Sequence, residues 1–212
     1  MQSEPIDLVL FGAGGDLARR KLLPALMHLE FDGLLPEKLR IFALSREETN
    51  VENFVAGQKA TLQTYLGEQR WSKALWETFC QRIYYVRVEF TEVDQYEALR
   101  QELDHAHTSI FYFATPPSLF QGICENLSAA GCLSQNSRVV LEKPIGRDFD
   151  SCKEVNQTVG GFFDEERIYR IDHYLGKETV QNLLALRFAN RFINAQWDNT
   201  CIDHVQITVA ET

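Results

Sequence analysis

Ile6-Asp7-Leu8-Val9-Leu10-Phe11-Gly12-Ala13-Gly14-Gly15-Asp16-Leu17-Ala18 is the stretch on which the reading of the fold turns. Its first six residues form an apolar run long enough for a buried strand and too short for a helix. Glycine follows at once, and Leu22, Ala25, Leu26 and Leu29 then recur at helical spacing. Glycines at a strand-to-helix turn let the backbone approach a pyrophosphate, and a helix N-terminus favours negative charge. Leu17 stands where the third glycine of G-x-G-x-x-G would fall, so the better reading is G-x-x-G-x-x-A, with the small Ala18 supplying close packing. A tight turn without a ligand is the alternative. Pro24 removes a backbone donor, which predicts a short turn over Asp16–Leu22 and a longer helix restarting near Pro24.

Outward from this turn the same grammar repeats. Further short apolar runs lie at Ile41–Leu44, Ile83–Val88, Ile110–Phe113, Val139–Leu141 and Ile168–Ile171, with helical stretches such as Tyr96–Leu103 and Leu119–Ala129 between them. Nearly continuous apolar strands alternating with helices imply a parallel sheet covered on both faces. The expected fold class is therefore α/β, a Rossmann-like doubly wound parallel sheet spanning residues 1–171. From residue 172 the pattern changes. Val180, Leu183, Leu184 and Phe188 mark one apolar face of a helix reaching about Phe192, and Val205-Gln206-Ile207-Thr208-Val209 alternates as a strand with one wet face. Residues 172–212 are thus expected to begin an α+β domain with an antiparallel sheet, truncated because one strand makes no sheet.

Composition bounds the rest. The 212 residues are 45% hydrophobic and 24% charged with a net charge of −9, ordinary for a globular protein and unsuited to a general nucleic-acid binder. No apolar run approaches the roughly 20 residues that cross a bilayer, so neither nucleic acid nor membrane is an expected partner. Met1-Gln2-Ser3-Glu4-Pro5 has no basic region leading an apolar one, and the five cysteines are odd in number without a C-x-x-C pair. They read as buried thiols of a cytoplasmic protein.

Four later segments carry chemistry. The second strand ends at Leu44-Ser45-Arg46; an arginine there suits a ribose 2′-phosphate, as in NADP, and Ser45 adds a hydroxyl. Glu47 and Glu48 follow, and either carboxylate is able to accept from an unphosphorylated ribose, so NAD stays open. The fourth strand runs into Phe113-Ala114-Thr115-Pro116-Pro117 and the fifth into Leu141-Glu142-Lys143-Pro144-Ile145-Gly146, both at strand ends where ligands bind in such folds. Lys143, before proline, is held extended. Arg170-Ile171-Asp172-His173-Tyr174-Leu175-Gly176-Lys177-Glu178 gathers a carboxylate, an imidazole, a phenol and an ammonium. His173, Tyr174 and Lys177 suit a phosphate monoester, and Asp172 would orient a histidine base. A capped helix start, with Asp172 near the N-terminus, is the competing reading.

Three blocks in this order, G-A-G-G-D-L-A-R-R-K-L at Gly12–Leu22, E-K-P-I-G at Glu142–Gly146 and R-I-D-H-Y-L-G-K at Arg170–Lys177, resemble the glucose-6-phosphate dehydrogenases over the whole chain. The resemblance implies oxidation of the C1 hydroxyl of glucose 6-phosphate to a lactone in the pentose phosphate pathway, with hydride passing to NADP. It implies that Gly12, Ala13, Gly14, Gly15, Asp16, Leu17, Arg46 and the Tyr112–Pro117 turn, including Thr115 and Pro116, hold the cofactor. Lys143 would lie between cofactor and substrate. His173, Tyr174 and Lys177 would bind the sugar phosphate, Glu211 a sugar hydroxyl, and Asp172 the family's histidine base. Two departures accompany it. Gly14 stands where the family often has a larger residue, and the base histidine lies further along the family's chain, so residues 1–212 are expected to be inactive alone. Homo-oligomers are expected of the full-length family.

The other histidines fit no better. His28 lies on the first predicted helix, His105 and His107 precede a strand at a spacing that fits no helix face, and His204 falls on a wet strand face. No metal is expected. Glu-Lys-Pro also resembles the glucose–fructose oxidoreductases, against which the D-H-Y-L-G-K block speaks. A non-catalytic NADP-binding module is the reading from another class.

Overall fold

Six strands, β1 (Ile6–Phe11), β2 (Leu39–Ser45), β3 (Ile83–Arg87), β4 (Thr108–Phe113), β5 (Arg138–Leu141) and β6 (Ile168–Arg170), form one sheet in the order β3-β2-β1-β4-β5-β6. Every neighbouring pair is parallel. The computed structural model describes residues 4–172, 174–206 and 208. Contacts divide the chain into two units, residues 1–171 and 172–212.

The strand period of two explains how one sheet feeds two cores. Val9 and Phe11 of β1 join a cluster with Phe111, Phe113, Phe120 and Ile123, while Leu10 joins Ile41, Phe54, Trp76 and Phe79. The first cluster takes in α4 (Tyr96–Glu102), α5 (Phe120–Ala129) and α6 (Phe149–Gly160); the second takes in α1 (Leu23–Phe31), α2 (Val51–Leu66) and α3 (Lys73–Cys80). Burying one such side chain contributes about 1.5–3 kcal/mol, so a register slip in β1 would forfeit several at once.

Some local details depart from expectation. Helices α2 and α3 were not anticipated, although each starts at a recognisable cap: the Asn50 side chain accepts from Asn53 N at 2.9 Å and Ser72 Oγ from Leu75 N at 3.1 Å. The turn after the glycines is a π-helical segment, Ala18–Leu22, running directly into α1 with Pro24 in its first turn. Ala18 is fully buried. The cysteines are free thiols, but only Cys124 and Cys132 are buried; Cys80 and Cys152 are half-buried and Cys201 is exposed. Desolvation pushes the Cys124 thiol up to about 12 and those of Cys80 and Cys132 to about 11.

In the second unit the single helix expected to reach Phe192 is two, α7 (Glu178–Phe188) and α8 (Arg191–Ala195). Asn190 breaks it: the backbone turns extended there, and Asn190 Nδ2 donates to Leu186 O at 2.9 Å, competing with helix continuation. Residues 202–206 and 208 form no strand, because an isolated strand has no neighbour to supply hydrogen bonds. Ile207 and Val209 of the expected strand lie outside the described residues. The apolar side chains Leu183, Leu184 and Phe188 are 47%, 51% and 64% exposed. No helix among the described residues is long and apolar enough to cross a membrane.

Candidate functional site

The strand order reverses between β1 and β4, and there the connections leave their strands in opposite directions, opening a crevice at the carboxyl ends. The glycine turn lies in it. Gly12 N and Ala13 N both donate to Leu44 O, at 3.1 and 2.9 Å, tying the turn to the end of β2. Gly12 has φ +84°, and a Cβ there would come 2.7 Å from Ala114 O; only glycine fits. A Cβ on Gly15 would meet Gly12 O at 3.1 Å. The close approach is thus built by backbone, which leaves the face of the turn open.

A hollow of ≈ 540 Å³ lies over this turn, lined among others by Gly12, Gly14, Gly15, Ser45, Arg46, Thr115 and Pro116. Seven of the expected cofactor residues therefore converge. Thr115 Oγ1 is buried and has no hydrogen-bond partner, an unmet polar group at the end of β4. Its charged lining residues are the exposed Arg46 and Glu47 and the half-buried Glu89. Pro116 also borders a second hollow of ≈ 590 Å³, between the end of β4 and the Pro144–Arg147 loop against α6. Gly146 packs that loop onto the start of α6, where a Cβ would collide with Cys152 N.

Other expected residues lie apart from the lining. Ala13 is fully buried, a packing residue at the turn. Asp16 is exposed and pairs with Arg20 at 2.9 Å, and Leu17 is half-buried. Lys143 is exposed, and its bond to Pro144 is cis. Tyr112, near the end of β4, donates its hydroxyl to Oε1 of Glu142, the residue that follows β5. Burial, and then the neighbouring Glu142 carboxylate, hold that phenol far above its ordinary range, so it stays a neutral donor.

In the second unit Asp172 Oδ1 accepts from Tyr174 N at 3.0 Å, and Lys177 Nζ lies 3.9 Å from the Tyr174 ring centroid. The competing reading of a helix cap needs correcting: α7 starts at Glu178 with Lys177 at its N-cap position, and Asp172 instead closes a turn before it. His173 and Glu211 lie outside the described residues.

Two contributions were missed. Glu89, Phe90 and Thr91 also line the hollow over the glycine turn. They follow β3, so the rule that ligands meet strand carboxyl ends would have found them. The second is Asp7. Read as one residue of an apolar run, it is fully buried at the other end of β1, where Arg40 Nε and Nη2 each donate to it at 2.8 Å and His107 Nδ1 lies 3.1 Å away. His28 Nδ1 is 3.4 Å from Arg70 Nη1, and His204 sits beside Asp203. No cluster of His, Cys, Asp or Glu able to hold a metal occurs among the described residues.

A parallel sheet of this order, with a glycine turn and an open polar crevice at its switch point, defines a Rossmann-class α/β protein of the dinucleotide-binding type. The model of the family described as "Glucose-6-phosphate dehydrogenase, NAD binding domain" matches residues 9–182. A glucose-6-phosphate 1-dehydrogenase of Dickeya dadantii (strain 3937) is 46% identical over 210 residues, covering 99% of this chain and 43% of that protein. One of Rhizobium meliloti (strain 1021) is 44% identical, covering 98% of this chain and 43% of that protein. The crystal structure of glucose-6-phosphate 1-dehydrogenase from Mycobacterium avium superposes with a TM-score of 0.83 at 30% identity, over 93% of this chain and 42% of that one. A glucose-6-phosphate dehydrogenase in complex with its substrate glucose-6-phosphate gives 0.81 at 31%, over the same shares of 93% and 42%. The chain belongs to the glucose-6-phosphate dehydrogenase family. It spans about 43% of the length of these curated relatives.

Proposed function

We propose that residues 1–171 are the NADP-binding domain of a glucose-6-phosphate dehydrogenase and that residues 172–212 begin its substrate domain. The observation that carries the reading is the hollow over the glycine turn, where Thr115 Oγ1 is buried without a partner and Gly12 tolerates no side chain. An orphaned hydroxyl beside a backbone cradle fits a bound dinucleotide, which satisfies the one and fills the other. Gly12, Gly14 and Gly15 would approach the pyrophosphate, with Ala13, Asp16 and Leu17 shaping the turn. Ser45 and Arg46 would take the ribose 2′-phosphate, and Thr115 and Pro116 the end of β4. Tyr112, bonded to Glu142, would hold the stretch that carries Lys143. When bound, NADP supplies the acceptor for a hydride from C1 of the sugar.

The chain's own residues would handle the other partner. Lys143, His173, Tyr174 and Lys177 would bind glucose 6-phosphate, with Lys177 as a point charge on the phosphate, and Glu211 would accept from a sugar hydroxyl. Asp172 would position a histidine base outside residues 1–212. The five free thiols support a cytoplasmic setting. In this reading the protein serves the oxidative pentose phosphate pathway, and the full-length enzyme forms a homo-oligomer.

Calorimetric titration with NADP tests the first half: micromolar-range binding is expected, and its absence would remove the cofactor assignment. Chemical modification of Lys177 tests the second. Glucose 6-phosphate should protect that lysine and free glucose should not; equal protection by both would leave the segment a simple helix entry.

A further inference from the structure

The missing side chain at residue 14 is used by another residue. A Cβ on Gly14 would lie 3.2 Å from Glu47 Oε1 and 2.9 Å from Ser45 Oγ. The Glu47 carboxylate therefore reaches over the glycine turn into the space that a side chain at 14 would occupy. Its backbone is pinned on both sides: Glu47 N donates to Ser45 Oγ at 3.3 Å, and Tyr85 OH donates to Glu47 O at 2.7 Å. Glu47 and Glu89 line the hollow together with Arg46. Glu48 is not in the lining and faces Arg87 at 3.9 Å.

This arrangement sets two signs of charge at the place where a ribose would meet the end of β2. A phosphate monoester brings about −1.5 to −2 charges, which Arg46 attracts and the two carboxylates repel. An unphosphorylated ribose instead brings hydroxyl donors, and a carboxylate is the stronger acceptor for them. The position is exposed, so the repulsion is that of a few ångströms in water rather than in a core. Its effect is to narrow a preference, not to forbid a ligand.

We propose that Glu47, lying in the space left by Gly14, is a specificity-determining residue that lets the hollow take NAD alongside NADP. The inference rests on the dinucleotide reading above and assigns to one carboxylate the balance that Arg46 alone would tip to the phosphorylated form. Residues 14 and 47 act as a pair: with a side chain at 14, the carboxylate would have to withdraw.

The test is titration calorimetry of the full chain with NADP and NAD at one fixed salt concentration, for the unaltered protein, Glu47→Gln and Glu48→Gln. Glu47→Gln removes the charge and keeps the shape of an exposed side chain; a thermal melt checks that the fold is intact. The ratio of the NAD to the NADP dissociation constant should rise about five- to tenfold in Glu47→Gln, the size of one near charge against a phosphate in water. In Glu48→Gln it should move by less than about twofold, because that carboxylate lies outside the hollow. A ratio unmoved by Glu47→Gln, or moved equally by both variants, overturns the role of Glu47 while leaving the dinucleotide reading intact. Failure of the unaltered chain to bind either dinucleotide overturns both.

Discussion

Strand β1 ends in polar chemistry twice, and the two ends are opposite in kind. At its start, Asp7 is buried with both carboxylate oxygens engaged by Arg40, with His107 alongside and Asp104 N donating at 3.4 Å. Asp7 also holds the Arg40 guanidinium above its ordinary value, chiefly through their hydrogen bonds. At its far end, the glycine turn opens on a hollow with a partnerless Thr115 hydroxyl and a mixed set of exposed charges. A satisfied buried charge network holds a fold together, whereas an unsatisfied polar surface in a crevice calls for a ligand. The same strand thus separates stability from function by its length.

The largest effect expected of this division is on turnover. In the proposed reading the base histidine lies outside residues 1–212; among the described residues His107 is engaged with Asp7 at the opposite end of β1, and Asp172 Oδ1 accepts from Tyr174 N. A well-placed base contributes about 10²–10⁴ in rate, so residues 1–212 alone should form NADPH from glucose 6-phosphate at a negligible rate. Absorbance of reduced cofactor measures this. A turnover near the enzyme median of about 10 s⁻¹ would break the contrast, because a base would then be present.

Next comes the amino end. Asp7→Ala leaves Arg40 without its buried partner, and removing one member of such a pair costs about 3–5 kcal/mol. Arg40 keeps 26% of its side-chain surface in solvent, which puts the expected loss near the lower value, about 3 kcal/mol. Denaturant unfolding reads it, and NADP affinity extrapolated to folded protein should be unchanged. A fall in affinity matching the fall in stability would mean that the two ends are coupled.

At the carboxyl end the signs reverse. Arg46→Ala removes a charge-assisted hydrogen bond of about 1.5–3 kcal/mol, so NADP should bind roughly tenfold or more weaker. NAD affinity should barely change, and neither should the melting temperature; calorimetry and a thermal melt together separate these outcomes. The smallest effect is expected at Thr115. Thr115→Val replaces a buried hydroxyl that has no partner by a methyl group of similar shape, which should leave stability equal or raise it by up to about 1 kcal/mol. Dinucleotide affinity should fall severalfold if that hydroxyl meets the ligand. Lowered stability with unaltered binding would make Thr115 a core residue and erase the distinction there.

Much of this was legible in one dimension. The apolar runs, the glycine turn and the D-H-Y-L-G-K block report local demands: a buried strand, a backbone that tolerates no Cβ, a cluster of donors on a short segment. Helices α2 and α3 were missed although the side chains of Asn50 and Ser72 cap them. The split at Asn190 was missed because a side chain bonding back to Leu186 O competes with the apolar period. His107 was legible only as a residue of the connection before a strand, since its partner Asp7 stands 100 residues away in an otherwise apolar stretch.

By itself the sequence determined the α/β alternation, the place of the tight turn and the family, because periodicity and steric necessity act between neighbours along the chain. Only the tertiary structure decided that Asp7 meets Arg40 and His107, that Tyr112 bonds Glu142, and that Glu47 lies over Gly14. Each of those meetings joins different strands or their connections, so it depends on strand order and register. Those are set by how both faces of the sheet pack at once, a balance spread over the whole core and carried by no single segment.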